Sequence, residues 1–317
     1  MREKYELSRN SEFLQKYGLM LAFIVICIVL SLLSPAFLTT KNIINVLRQI
    51  SINAILAIGV TYVILTGGID LSLGSIVAIT GVLAATFAHP ETYPLIIPIL
   101  IGIISGLLIG VFNGLIITRF NVAPFIVTLG MMTIARGGAL VISKGRPVSN
   151  LSDSFNFIGG GDLFGIPLPI LILVLVFLLS YFTLEKTKFG RYVYAVGGNE
   201  EAARASGISI NKIKMAAYSI CAGLAGLAGI IQASRITTGQ PNIGSFYELN
   251  AIAAVVIGGT SLSGGIGSVA GTILGALIIG VINNGLDLLN VSSYYQQIVK
   301  GLIIIGAVIL DREKRLK

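Results

Sequence analysis

The stretch GRYVYAVGGNEEAARASGI, residues 190–208, is a polar interruption between hydrophobic segments that are each long enough to span a bilayer. Asn199 is typical of a helix N-cap, two glutamates follow it, and Gly207 is placed for a left-handed stop. The pattern predicts a surface helix of about two turns. Because so short a helix is not stable alone in water, it needs a surface to pack against. That surface belongs either to another protein or to the rest of this chain.

The composition of the whole chain is that of a membrane protein. Of its 317 residues, 55% are hydrophobic and 11% are charged, and the mean hydropathy is +0.91. Soluble domains carry about 25% charged residues, so this chain has too little polar surface to cover a soluble globule. Its 38 glycines indicate closely packed helices. We expect an all-α polytopic fold in a lipid bilayer.

Hydropathy and helix-breaking residues divide the chain into about ten expected transmembrane spans. They lie near residues 19–38, 45–66, 71–88, 94–118, 124–143, 167–184, 213–234, 248–263, 267–289 and 296–310. Residues 1–317 are then a single transmembrane domain, and residues 185–213 form a polar loop within it.

The distribution of basic residues predicts the orientation. Most of the 22 lysines and arginines fall in the N-terminal segment, in the 185–213 loop and in the C-terminal tail. The positive-inside rule places these segments, and with them both termini, in the cytoplasm. The net charge of +8 follows from this bias, so we expect no nucleic-acid partner.

An internal repeat is also visible in the sequence. IGVFNGL at 109–115 resembles IGVINNGL at 279–286, and glycines at four-residue spacing precede both copies. Such ladders put glycine on one helix face and predict a packing face. The copies lie an odd number of spans apart and would run in opposite directions, as in the inverted-topology repeats of transporters. The alternative is a chance likeness between glycine-rich helices.

Two glycine-rich breaks interrupt the spans, TGGIDLSLGS at 66–75 and GGTSLSGGIGS at 258–268. Asp70 lies in the first break, and a carboxylate at membrane depth should face protein or water because exposure to lipid is costly. Asp70 either caps the helix that follows it or contacts a substrate. Irregular backbone at this depth is tolerated only where it is buried or lines a cavity.

The sequence offers little material for catalysis. His89 is the single histidine, and Cys27 and Cys221 both lie in apolar segments. We therefore expect no catalytic residue, no metal site and no cofactor. No GxxxxGK[ST] loop is present, so any ATP that drives this protein must be bound by another subunit.

Several motifs together resemble one family. GGNEEAARASGI (197–208), AIAAVVIGGTSLSGGIGSVAGTILGALIIGVINNGL (251–286) and VILTGGIDLSLGS (63–75) are similar to permease subunits of carbohydrate importers of the ATP-binding-cassette class. NNGLDLLNVSSYYQQIVKG (283–301) is most similar to the ribose permeases of that family. The resemblance implies a homodimer in a bacterial inner membrane, with two cytoplasmic ATPase subunits and an extracytoplasmic sugar-binding protein.

The resemblance also implies a role for the polar loop, as a coupling element that docks in a groove of the ATPase. The matching residues are Gly198, Asn199, Glu200, Ala202, Ala203, Arg204 and Gly207.

For the translocation path we favour polar residues of otherwise apolar segments, Thr66, Asp70, Ser72, Asn113, Asn283 and Asn284. The three asparagines are also suited to hydrogen bonds between helices. The expected function is ATP-driven import of a monosaccharide, with ribose as the first candidate and another sugar as the alternative. An ion-coupled secondary transporter is a further alternative, for which Asp70 is the strong candidate acid.

Overall fold

A computed structural model describes the backbone of residues 2–315 and the side chains of residues 18–303, 305, 306 and 309. This part of the chain is helical apart from loops and one short antiparallel hairpin. The helices are α1 (Arg2–Leu33), α2 (Thr40–Leu65), α3 (Leu73–Thr86), α4 (Ile96–Phe120), α5 (Pro124–Ser143), α6 (Asp153–Gly160), α7 (Leu168–Lys186), α8 (Lys188–Gly198), α9 (Glu200–Ala205), α10 (Ile210–Arg235), α11 (Tyr247–Ile257), α12 (Val269–Leu288) and α13 (Ser293–Arg315). The strands are β1 (Asp162–Leu163) and β2 (Ile166–Pro167).

Within the described residues, six helices are long and apolar enough to cross a membrane: α2, α4, α5, α7, α10 and α12. Residues Gly18–Leu33 of α1 and helices α3 and α11 are shorter apolar segments. The structure confirms a polytopic all-α membrane protein. The number of ten spans, the inverted repeat and the position of the termini stay predictions.

Two of the expected spans extend well beyond the helix at their C-terminal end, and a third corresponds to a short helix. The first helix ends at Leu33 rather than at residue 38, because Pro35 disfavours a helical conformation in the residue before it. Helix α3 has 14 residues, and at 1.5 Å per residue it covers about 21 Å, less than the hydrocarbon core of a bilayer. The expected span 248–263 stops being helical after Ile257, where Gly259 has a positive φ of 88°.

The glycine ladders form packing faces, as the sequence predicts. A Cβ atom on Gly110 of α4 would lie 2.7 Å from Cα of Ser219 in α10, and a Cβ atom on Gly226 would lie 2.6 Å from the carbonyl oxygen of Gly102. Gly275 of the second ladder likewise meets the backbone of α11. Helix α10 thereby lies at the centre of the fold, packed against α2, α3 and α4.

Helix α6 and the hairpin form a small cap at one end of α10, which the sequence analysis did not predict. Ser234 Oγ of α10 accepts a hydrogen bond from Gly159 N at 2.6 Å and donates to the Phe155 carbonyl, also at 2.6 Å. Arg48 of α2 forms an ion pair with Asp162 of β1 at 2.7 Å. The Ser234 hydrogen bonds hold α6 on the end of α10 that lies farthest from α9, and the ion pair connects the hairpin to α2.

Candidate functional site

The polar loop 185–213 folds mainly as α8 and the short helix α9. Asn199 caps α9, because its Oδ1 accepts a hydrogen bond from Ala202 N at 2.9 Å. Gly207 has a φ of 80° and ends the turn after α9. The structure thus confirms the predicted helix, its N-cap and its left-handed stop. The docking role of Gly198, Asn199, Glu200, Ala202, Ala203, Arg204 and Gly207 stays a prediction.

Glu200 forms two ion pairs, one that connects α9 to α10 and one within α9. Glu200 accepts from Lys214 Nζ of α10 at 2.6 Å and from Arg204 at 3.2 Å. The hydrogen bond from Lys214 lowers the pKa of Glu200 below its ordinary value, so the carboxylate is charged at neutral pH. Ala203 packs into the core while the Arg204 side chain is 68% exposed. Helix α9 is therefore held on one face and free on the other.

A cavity of about 570 Å³ opens between α2, α10, α11, α12 and α13. Its lining is unusual for a chain this apolar, because seven residues with side-chain carboxamides surround one space. They are Gln49, Asn53, Gln232, Asn250, Asn283, Gln296 and Gln297. Arg235, Asp287 and Lys300 add charges of both signs at the same cavity.

Carboxamides carry donors and acceptors without a net charge. In this cavity Gln232, Asn250 and Asn283 come from three different helices and are only 5%, 8% and 6% exposed. The Oδ1 atom of Asn283 has no hydrogen-bond partner among the described residues. A cavity of this size and lining can hold a small neutral polyol, whose hydroxyl groups both donate and accept.

The cavity and α9 lie at opposite ends of α10. Lys214, which pairs with Glu200, is near the start of α10, whereas Gln232 and Arg235 are in its last turn. Eighteen residues separate Lys214 from Gln232, which corresponds to about 27 Å along a helix. Helix α2 also extends between the two sites. Gln49 of α2 lines the cavity, and Leu65, the last residue of α2, lies next to Gly197 of α8, close to α9. Helices α2 and α10 thus connect the two candidate sites.

Three of the residues favoured for the path form a buried polar cluster away from this cavity. Asp70 Oδ1 accepts hydrogen bonds from the backbone and the hydroxyl group of Ser72, and the Asn113 amide donates to Ser72 Oγ at 3.2 Å. All three side chains are buried. Asp70 thus closes a turn just before α3, whose N-cap position is occupied by Ser72.

The other three favoured residues lie in three different places. Asn283 lines the cavity. Asn284, its neighbour in sequence, exchanges two hydrogen bonds with Asn42 of α2, at 3.0 and 2.8 Å. Thr66 donates to the carbonyl of Val63 at the opposite end of α2. Their roles in translocation stay predictions.

The sequence analysis missed most of the cavity-lining amides, including Gln49, Asn53, Gln232 and Asn250. These residues could have been found by the criterion that selected Asn283, namely an amide side chain inside an apolar segment. What the sequence could not reveal is which of these amides share a cavity. No group of three or more potential metal ligands lies together in the described residues.

Comparison with known proteins places the chain in a family. The family model described as "Branched-chain amino acid transport system / permease component" matches residues 42–308. The ribose import permease protein of Bacillus subtilis (strain 168) is 49% identical over 303 residues, 95% of this chain and 94% of that protein. That of Escherichia coli (strain K12) is 47% identical over 300 residues, 93% of each chain.

The L-arabinose transport system permease protein of Escherichia coli (strain K12) is 38% identical over 300 residues, 95% of this chain and 91% of that protein. No solved structure matches the chain significantly. The identities extend over nearly the full length of each relative, and the family match includes α2 to α12 as well as both candidate sites. The chain therefore belongs to the family of branched-chain amino acid transport system permease components.

Proposed function

We propose that this chain forms the translocation path of an ATP-driven importer of a monosaccharide, and that the sugar is ribose. The observation that carries the proposal is the carboxamide-lined cavity, which lies at the opposite end of α10 from α9. The relatives named as ribose import permeases, at 47% and 49% identity, support the choice of sugar. The chain is a multi-pass protein of the bacterial inner membrane.

The cavity is suited to weak binding of a sugar during transport rather than to tight binding. Its amides offer hydrogen bonds to hydroxyl groups, and its aromatic lining is limited to Phe246 and Tyr247, since the chain contains no tryptophan. A weak site is sufficient where a soluble extracytoplasmic sugar-binding protein captures the ligand and presents it at high local concentration. In this proposal the cavity opens toward that protein, and Asn283 is the path residue that faces it.

Helix α9 is the proposed contact to the ATPase. Its residues Ala202, Arg204 and Ala205 are exposed, whereas Ala203 is buried and the Glu200–Lys214 ion pair connects the helix to α10. A partner that pushes on α9 therefore moves α10 and its neighbours as a unit. ATP binding by two such partner subunits would rock two copies of this chain between outward-open and inward-open states.

The finer architecture belongs to the same proposal. Residues 1–317 form one permease domain of about ten spans, with both termini and the 185–213 coupling loop in the cytoplasm. The inverted repeat relates the segments around 109–115 and 279–286. This orientation puts α9 inside and the cavity outside, as an importer requires.

Reconstitution tests the proposed function directly. The complete complex in proteoliposomes should import ribose only when the sugar-binding protein, the ATPase and ATP are all present. Arg204→Glu should uncouple ATP hydrolysis from uptake, because it reverses the charge of an exposed side chain of α9 and replaces the ion pair with Glu200 by a repulsion. Lys41→Glu, at the other end of the structure, changes the net charge equally and should import normally. Ribose uptake by this chain alone, driven by a proton or sodium gradient, would instead identify a secondary transporter.

A further inference from the structure

Three segments that are far apart in sequence meet at a single backbone junction next to α9. They are the end of α8 at Gly197, the end of α2 at residues 65–67, and residues 264–265 of the loop between α11 and α12. The two glycine-rich breaks of the sequence, 66–75 and 258–268, therefore touch the segment that carries α9. We call this contact the glycine junction.

The glycine junction is closed so tightly that no side chain fits inside it. A Cβ atom on Gly197 would overlap the carbonyl oxygen of Leu65 and lie 2.6 Å from Gly265 N. A Cβ atom on Gly264 would lie 2.8 Å from Gly67 N and 3.0 Å from Cα of Gly197. These are backbone atoms, which cannot turn aside as the end of a flexible side chain can. Movement of one segment must therefore displace the others.

Hydrogen bonds join the same segments. Gly265 N donates to the Leu65 carbonyl at 3.0 Å, so the loop is bonded to α2. Tyr194 Oη of α8 donates to the Gly267 carbonyl at 3.0 Å, so the loop is also bonded to α8. Gly264 and Gly265 have φ values of 89° and 74°, a conformation that favours glycine.

The helices that leave the glycine junction are those that line the cavity. Asn199, two residues after Gly197, is the N-cap of α9. Gln49 and Asn53 lie in the middle part of α2, 16 and 12 residues before Leu65, and the halves of α11 and α12 farther from the junction contribute Asn250 and Asn283. A displacement at the junction thus reaches the cavity through rigid helices.

We propose that the glycine junction transmits the movement of α9 to the cavity, with Gly197 and Gly264 as positioning residues and the Tyr194–Gly267 hydrogen bond as a second connection. The inference rests on the proposed function, because it assigns α9 a moving partner. It adds that α10 is not the only route from α9 to the cavity. A junction that is merely packed would affect folding but not the ratio of sugar moved to ATP hydrolysed.

The test is Gly197→Ala in the complete complex reconstituted in proteoliposomes. Gly137→Ala is the matched control, because a Cβ atom there meets no atom within 4 Å and Gly137 lies in the helical part of α5. We expect Gly197→Ala to keep the assembled complex and its ATP hydrolysis, while the ribose moved per ATP falls at least tenfold. Gly137→Ala should keep the wild-type ratio.

Tyr194→Phe keeps the test decisive if Gly197→Ala does not fold, since it removes only one hydroxyl group. We expect the ribose moved per ATP to fall about threefold, in line with the loss of one hydrogen bond. A wild-type ratio in folded Gly197→Ala, or in Tyr194→Phe, would overturn the glycine junction as a coupling element. That result would leave the proposed function intact, because the function is decided by import in the wild-type complex.

Discussion

Asn283 and Asn284 are neighbours in sequence with opposite environments, and replacing each by leucine separates a transport role from a structural one. Asn283 lines the cavity and has a buried Oδ1 with no hydrogen-bond partner among the described residues, whereas Asn284 exchanges two hydrogen bonds with Asn42. The substitution, the helix and the depth are the same in both variants. We expect Asn283→Leu to impair transport and Asn284→Leu to impair stability.

The magnitudes follow from the hydrogen bonds involved. A neutral hydrogen bond contributes about 0.5 to 1.5 kcal/mol, and about 1.4 kcal/mol is a factor of ten. Loss of one bond from Asn283 to the sugar should therefore raise the KM for uptake about 2- to 12-fold. Hydrogen bonds between membrane helices average about 0.6 kcal/mol, so loss of both bonds to Asn42 should destabilise the fold by about 1 kcal/mol.

The assay has two measurements on each variant. Initial rates of ribose uptake in proteoliposomes with all partner subunits give the KM, and thermal unfolding of the purified permease gives the stability. Asn283→Leu should unfold at or near the wild-type temperature, because it breaks no protein hydrogen bond of its Oδ1. Asn284→Leu should unfold at a lower temperature with a wild-type KM per folded molecule.

Two results would refute this reasoning. A wild-type KM in Asn283→Leu would remove the cavity from the translocation path. A raised KM in Asn284→Leu without a loss of stability would place Asn284 on the path instead of in the bond to Asn42. Equal effects of both variants on both measurements would indicate a general disturbance of α12.

Three further predictions concern the orientation, the ion pair and the sugar site. In a cysteine-free background, single cysteines at Lys186 and Glu201 should react with impermeant thiol reagents only from the cytoplasm. A single cysteine at Glu91 should react only from outside. The reverse labelling would overturn the orientation. Because the pKa of Glu200 is lowered in the folded state, its ion pair should stabilise the protein above the ordinary pKa of 4.5 and lose that effect as the pH falls through the lowered value. The unfolding temperatures of wild type and Lys214→Met should therefore differ at neutral pH and converge in acid, and a constant difference would contradict the assignment. The purified permease alone should bind ribose weakly or not measurably by calorimetry, whereas tight binding would contradict delivery by a separate binding protein.

Features that depend on neighbouring residues could be predicted from the amino-acid sequence alone. Long apolar segments identify membrane helices because about 20 residues suffice to span a bilayer. Asn199 and Gly207 predict the ends of α9 because helix caps act within one turn. The glycine ladders predict packing faces because four-residue spacing repeats on one side of a helix. These signals needed no knowledge of the partner helix, and the structure bears them out.

Which polar residues share a site depends on how distant segments of the chain pack together. The carboxamides of the cavity extend from Gln49 to Gln297 in sequence and meet only because α2 and α10–α13 pack around one space. Likewise, the requirement for glycine at position 197 comes from close contacts with Leu65 and Gly265, which lie far from it along the chain. Asn283 and Asn284 look alike in the sequence, but a rotation of about 100° per residue around the helix sends one to the cavity and the other to Asn42. Because packing between distant segments sets such environments, they cannot be recognised from a local sequence pattern.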